Sequence, residues 1–338
     1  MDIDIVIATW DRVSLLNKCL CSLEEASFKG MNINVFIIIN GEDRKSEEFL
    51  EKACFPNLNL RVFPITKTFN GAARNAVFDK LEGQWTFFID DDAWVPKTYF
   101  QDFFNIIKNA PEIDILGGSD CAETTGRYHQ RMLNALYSSV VAMGPTWRRH
   151  TVINKDKLIK ASERDLTLCH LWVKTRFLKE NDLKFPIFLM RNEENYFLNE
   201  AQKFKANIFY SYQLKVNHLR RKRILALLST IFSSGQSRFA MIMAQNSAGN
   251  LLYFTPLFCI SLAVFFPVTF FVKQLFLLYL FLVLIASIKM AFVFRVFKAI
   301  PILIALHPAI HISYAVGMLS YPINQINNFV QTSEVKEN

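Results

Sequence analysis

Residues 251–322 contain four charged side chains, Lys273, Lys289, Arg295 and Lys298, and no carboxylate at all. A stretch of that length cannot supply the mixed charge that a water-facing surface needs, so this part of the chain belongs in a membrane. Leu251–Val272 offers 22 residues without a charge, enough to cross about 30 Å of hydrocarbon. Gln274–Phe294, broken only by Lys289, is a second candidate span. Ala299–Tyr321 is a third, weakened by His307, Pro308 and His311. The region is therefore expected to hold two or three transmembrane helices. Of the chain's 38 Lys+Arg and 30 Asp+Glu, 61 lie in residues 1–250, where the net charge is only +5. The overall +8 is thus spread out, which argues against a nucleic-acid partner. Disorder, collagen-like repeats and a purely soluble protein are excluded.

The six cysteines (19, 21, 54, 121, 169 and 259) form no CxxC pair, and we read them as reduced thiols. Met1-Asp2-Ile3-Asp4 carries acid where an export signal needs base. The large N-terminal part is expected on the cytoplasmic face of an integral membrane protein. Lys215–Arg223 holds five Lys/Arg in nine residues and no acid. Such a run suits anionic lipid headgroups, at about 1 kcal/mol per basic residue near the surface.

The first 120 residues alternate between strand and helix periods. Ile3–Thr9, Asn34–Ile39, Leu60–Phe63, Trp85–Ile89 and Ile113–Leu116 read as strands. Ser14–Ala26, Glu47–Ala53, Gly71–Lys80 and Pro96–Lys108 read as helices. That alternation predicts an α/β fold, a mostly parallel sheet with helices on both faces. Ligands of such sheets bind at the carboxyl ends of the strands, where Thr9, Asn40 and Asp90-Asp91-Asp92 fall. Residues 120–215 are less regular and read as the acceptor half of the same part. Three carboxylates at the mouth of a buried strand repel one another unless a cation intervenes, so Mg²⁺ or Mn²⁺ is the natural partner. A phosphatase of the haloacid-dehalogenase kind also ends a strand in D-x-D, but after its first core strand and with Thr or Val where this chain has Trp94. Asn70-Gly71-Ala72-Ala73-Arg74-Asn75 opens a helix with small residues that let a phosphate approach backbone N–H groups, with Arg74 as counter-charge.

Five segments in this order resemble the family 2 glycosyltransferases of GT-A fold. They are Ile7-Ala8-Thr9-Trp10-Asp11-Arg12, Asn70–Asn75, Phe87–Asp92, Arg191-Asn192-Glu193-Glu194-Asn195 and Asn217-His218. The resemblance implies a GT-A catalytic domain over 1–222, an interfacial helical linker over 223–250, the membrane region over 251–322 and a polar tail over 323–338. It implies that Thr9, Asp11 and Arg12 lie in a nucleoside-contacting loop, with Gly71, Arg74, Asp90 and Asp91 also on the donor. Asp90 would sit nearer the ribose, and Asp92 would bind the divalent metal with Asp90 and His218. Glu194, beside Glu193, would be the general base, standing where the family has Asp. Asn40 falls where the family often has an acidic residue reading the nucleotide base; it could hydrogen-bond a base or simply serve the turn. The expected activity is inverting transfer of one or a few sugars from a nucleotide-sugar donor to a membrane-associated, lipid-linked acceptor. The alternatives are a non-catalytic membrane scaffold that kept the fold, and a transport component.

Overall fold

The computed structural model describes residues 1–27, 30–120, 127–150, 157–219, 223–245, 252–265 and 270–334. Cys121, the Arg220–Lys222 part of the basic run, and Lys336 and Glu337 lie outside the described residues. The chain forms two compact units. One comprises Met1–Gly126, Thr146–Phe188 and Glu193–Arg220; the other comprises Arg127–Pro145, Leu189–Asn192 and Arg221–Asn338. Arg127–Pro145, read from sequence within the catalytic part, therefore groups with the C-terminal helices.

In chain order the elements begin β1 (Asp2–Thr9), α1 (Val13–Ala26), β2 (Asn32–Asn40), α2 (Arg44–Lys52) and β3 (Leu58–Ile65). There follow α3 (Asn70–Arg74), β4 (Trp85–Phe88), β5 (Ala93–Trp94), α4 (Tyr99–Asn109) and β6 (Ile115–Ser119). Helices α5 (Tyr128–Tyr137) and α6 (Val140–Met143) belong to the second unit. The first unit resumes with β7 (Leu158–Lys160), β8 (Leu171–Lys174), α7 (Thr175–Glu180), α8 (Glu193–Lys203), β9 (Ile208–Lys215) and β10 (Asn217–His218). The second unit ends with α9 (Ile224–Gln245), α10 (Thr255–Phe265), α11 (Phe270–Val293) and α12 (Ile300–Glu334).

The main sheet has eight strands in the order β3-β2-β1-β4-β8-β6-β9-β7. β3, β2, β1 and β4 run parallel, as do β6 and β9. β8 is antiparallel to both neighbours, and β7 is antiparallel to β9. β1 and β2 are apolar without alternation because both their faces are covered. Ile3, Ile5 and Ile7 pack with Leu16, Cys19, Leu20 and Leu23 of α1 on one face. Val6 and Ala8 pack with Phe36, Ile38, Val77 and Phe197 on the other. Asp4, buried within β1, accepts the Glu82 and Gly83 N–H groups at 2.6 and 2.7 Å and the Asn34 amide at 2.9 Å. Its oxygens are therefore paired, as buried carboxylates must be.

The helix expected over Gly71–Lys80 is α-helical only through Arg74 and continues as a 3₁₀ turn over Asn75–Lys80. Asn75 fixes that change by bonding both the N–H and the C=O of Phe185, at 2.9 and 2.8 Å. β5 and β10 form a separate antiparallel ribbon that pairs His218 with Ala93.

In the second unit, α9 and α12 cross through two glycines. A Cβ on Gly235 would lie 2.2 Å from the Tyr314 carbonyl oxygen, and one on Gly317 would lie 2.1 Å from that of Phe232. Small residues permit such backbone contact. Two described helical stretches, Phe270–Val293 and Phe297–Tyr321, are long and apolar enough to cross a membrane. Leu251–Val272 is described only over residues 252–265 and 270–272. Its described helix, Thr255–Phe265, has 11 residues and at 1.5 Å per residue rises about 16 Å. Pro256 sits in the first turn, where the ring is tolerated. The histidines that weakened the third candidate are satisfied internally: His307 Nε2 lies 2.9 Å from Ser139 Oγ, and His311 pairs with Tyr279 Oη at 3.0 Å and the Val141 carbonyl at 2.9 Å.

Candidate active site

The carboxyl ends of β1 and β4 meet in a knot of charge. Thr9 Oγ1 donates to Asp91 Oδ2 at 2.8 Å. Arg12 Nη1 reaches both Asp91 Oδ1 at 3.1 Å and Asp92 Oδ2 at 3.2 Å. Arg74 Nη2 pairs with Asp90 Oδ1 at 2.5 Å, while its Nη1 donates to the Asn70 carbonyl at 2.7 Å. The mutual repulsion that sequence reasoning assigned to a metal is thus partly relieved by two guanidinium groups. Asp91 is buried, turned toward Thr9 and Arg12, whereas Asp90 and Asp92 remain partly exposed. Burial lifts the Asp91 carboxyl to about 6, against the opposing pull of Arg12.

The β5–β10 ribbon returns His218 to this knot, with Nε2 3.0 Å from Asp92 Oδ1. One ligand atom from each of Asp90, Asp92 and His218 falls within 4.8 Å of the others. Two carboxylates and an imidazole suit Mn²⁺ or Mg²⁺, which would keep further positions for phosphate and water. The residues present fit such an ion.

Glu193 and Glu194 open α8, and both are buried. They face different partners. Glu193 packs on Gly71 so closely that a Cβ there would lie 2.7 Å from Glu193 Cγ. Burial, then the neighbouring Glu194 charge, pushes the Glu193 carboxyl up to about 8, which favours its protonated form. Glu194 Oε1 instead meets Arg149 Nη1 at 2.9 Å. Arg149 is itself fixed by the Arg164 and Glu163 carbonyls. Asn192, which leads into the pair, has φ +60°, a left-handed turn that Asn tolerates better than most residues.

The rest of the expected donor contacts are less uniform. Asp11 is held with φ +51°, its N–H bonded to Asp43 Oδ2 at 2.6 Å, and its carboxylate faces outward near Lys45. Asn40 is committed to the turn: its amide binds the Thr68 carbonyl at 2.9 Å and Asn70 Oδ1 at 3.2 Å, and its oxygen accepts the Thr68 N–H at 2.8 Å. Trp10 is 49% exposed, with Lys67 Nζ 3.6 Å above its ring. Burial and the Arg12 charge lower the Lys67 amine from its ordinary value. Lys67 and Arg149 were missed from sequence because both act through contacts between distant segments, and neither sits in a motif.

The model of glycosyl transferase family 2 matches residues 4–181. The chain belongs to that family. The match includes the Asp triplet and ends before Glu193, Glu194 and His218. Glycosyltransferase GlyA of Streptococcus pneumoniae serotype 4 (strain ATCC BAA-334 / TIGR4) is 22% identical over 231 residues, which cover 65% of this chain and 31% of GlyA. The chain therefore spans about a third of that relative's length. Among solved structures, S. aureus TarS 1-349 with UDP-GlcNAc superposes with TM-score 0.53 at 15% identity, over 96% of this chain and 92% of that one. The mannosyltransferase PcManGT from Pyrobaculum calidifontis, with GDP-Man and Mn²⁺, gives 0.58 at 13% identity, over 94% and 86%. These likenesses identify the fold as GT-A.

Proposed function

We propose that this family member is a metal-dependent, inverting glycosyltransferase. It moves a sugar from a nucleotide-sugar donor to a hydroxyl of a membrane-associated, lipid-linked acceptor, working on the cytoplasmic face of the membrane that its C-terminal helices enter. The observation carrying the reading is the convergence of Asp90, Asp92 and His218 at the strand ends, beside Arg12, Arg74 and the exposed Trp10. An aromatic face, basic side chains and a metal-binding set together are what a nucleoside diphosphate needs. The complexes of TarS with UDP-GlcNAc and of PcManGT with GDP-Man and Mn²⁺ support the donor class.

In this reading Trp10 stacks the base, and Arg12 and Lys67 face the diphosphate. Bound at Asp90, Asp92 and His218, Mg²⁺ or Mn²⁺ supplies countercharge for the departing diphosphate. Glu194, already in an ion pair, is the carboxylate that accepts the acceptor's hydroxyl proton. The acceptor oxygen then bonds to the anomeric carbon from the face opposite the leaving diphosphate, whose C–O bond breaks, so configuration inverts. Glu193, neutral, keeps Gly71 and α3 in register with the donor side. Anionic headgroups meet the basic run after β9.

The test is a thermal-shift screen of the full-length chain with nucleotide sugars, with and without Mn²⁺. A donor present at 100 times its dissociation constant stabilises by about 2.7 kcal/mol. A shift that requires both donor and cation is expected. Release of free nucleoside diphosphate only when acceptor is present would follow for a transferase. Donor binding without turnover against any lipid-linked saccharide would favour the scaffold reading, for which the burial of Glu194 against Arg149 is the structural argument.

A further inference from the structure

His218 presents its two ring nitrogens to two different sets of side chains. Nε2 faces Asp92 at 3.0 Å, and Nδ1 faces Asp120 Oδ2 at 3.7 Å. Cys169 Sγ lies 4.0 Å from that same Asp120 oxygen. Ligand atoms of Asp120, Cys169 and His218 all fall within 4.8 Å of one another, and Asp120 and Cys169 are buried.

We infer that Asp120, Cys169 and His218 form a second cation site, suited to a thiophilic divalent ion such as Zn²⁺, and that filling it takes His218 away from Asp90 and Asp92. The second clause rests on the proposed role of His218 at the donor side.

The donor set is the first reason. One sulfur, one imidazole nitrogen and one carboxylate oxygen are the ligands of zinc, whereas Mg²⁺ and Mn²⁺ favour oxygen. The geometry is the second. Bonds of about 2.3 Å to sulfur and about 2.0 Å to nitrogen and oxygen place tetrahedral ligands about 3.3–3.5 Å apart. The 3.7 and 4.0 Å separations need a contraction of about half an ångström. The supporting contacts are the third. His150 Nδ1 holds the other Asp120 oxygen at 2.6 Å, and Thr167 Oγ1 lies 2.9 Å from Cys169 Sγ. Partners of that kind orient metal ligands. The part-exposed His218 ring offers the way in, with 22% of its side chain accessible.

The two sets exclude each other through one ring. Neutral imidazole has one lone pair. If Nδ1 ligates the inner ion, Nε2 carries the proton and can only donate to Asp92, so it cannot ligate at the donor side. The Cys169 thiol releases its proton to solvent as the thiolate binds.

The test is a Co²⁺ titration of the chelator-stripped, full-length chain in detergent. A thiolate-to-cobalt charge-transfer band in the near ultraviolet is expected, lost in Cys169→Ser, with binding at least about tenfold weaker in Asp120→Asn. Absence of the band in the wild type would overturn the site, as would its persistence in Cys169→Ser. Asp120→Asn decides alone if Cys169→Ser does not fold. In the second arm, Zn²⁺ suppresses Mn²⁺-supported transfer by the wild type, while Cys169→Ser keeps its basal transfer and resists Zn²⁺. Equal inhibition of both would overturn the switching. A chain that shows the cobalt band but transfers from no donor would defeat the proposed function and leave the site standing.

Discussion

Asp90, Asp91 and Asp92 are identical in sequence, yet the backbone gives them different surroundings. The turn after β4, closed by the Ala93 N–H on the Asp90 carbonyl at 3.1 Å, puts Asp91 into the protein, onto Thr9 and Arg12, and leaves its neighbours partly exposed. Asp92→Ala should therefore cut transfer by at least about a hundredfold, since a bound cation is worth several kcal/mol to the transition state. The same variant should fold normally and lose cation-dependent donor binding in calorimetry; retained cation-dependent binding would remove Asp92 from the ligand set. Glu194→Gln keeps shape and hydrogen bonding but cannot take a proton, so kcat should fall by about 10²–10⁴ while donor affinity survives. A loss in Glu193→Gln alone would move the base by one residue. Glu193 makes a separate stability prediction. Between the ordinary 4.5 and about 8, the folded chain keeps a proton that the unfolded chain has lost, so stability falls as pH rises through that window and is level above it. Glu193→Gln should flatten the slope, which denaturation midpoints measured at three pH values across the window would reveal.

At the scale of elements, legibility followed the range of the interactions. β1, β2, β4, α1 and α4 announce themselves because apolar periodicity is local: the three strands are nearly wholly buried and the two helices each bury one apolar face. β7, β8 and β9 do not. β8 is held between β4 and β6, β9 lies parallel to β6 and β7 pairs with β9, so all three owe their places to partners distant in sequence rather than to their own pattern. The Asp triplet and Asn217-His218 were legible as motifs, but the ribbon that joins them was not, since β5 and β10 are two residues each. The Arg149–Glu194 pair links residues 45 apart, a pairing that no local signal encodes. Nor did the sequence distinguish Gly235 and Gly317 from ordinary glycines. Their backbone contact makes a sharp prediction. Gly317→Leu puts a branched side chain where a Cβ already meets the Phe232 carbonyl at 2.1 Å, and should cost about 1–3 kcal/mol or more by overpacking. Thermal melts of the full chain in detergent should show the loss, whereas Gly30→Ala, which has open space around it, should cost less despite its positive φ.

For the whole molecule, the proposed membrane setting makes the number of crossings decide which side each terminus occupies. The sequence leaves two or three crossings open, and three require Leu251–Val272 to cross. The described helix there rises about 16 Å, roughly half the hydrocarbon thickness. The two stretches long enough are Phe270–Val293 and Phe297–Tyr321. An even number of crossings puts the tail with Glu334, Lys336 and Glu337 on the same face as the N-terminus. The positive-inside tendency pulls the other way, because two crossings carry Arg295 and Lys298 to the face opposite the N-terminus. Two cations at a headgroup boundary can be accommodated there, their stems reaching back to the polar layer. We therefore expect reporters fused before Met1 and after Asn338 to signal from the same, cytoplasmic face, and a reporter at Arg295 to signal from the other. Termini on opposite faces would require a crossing within residues 251–269 and restore the three-span topology.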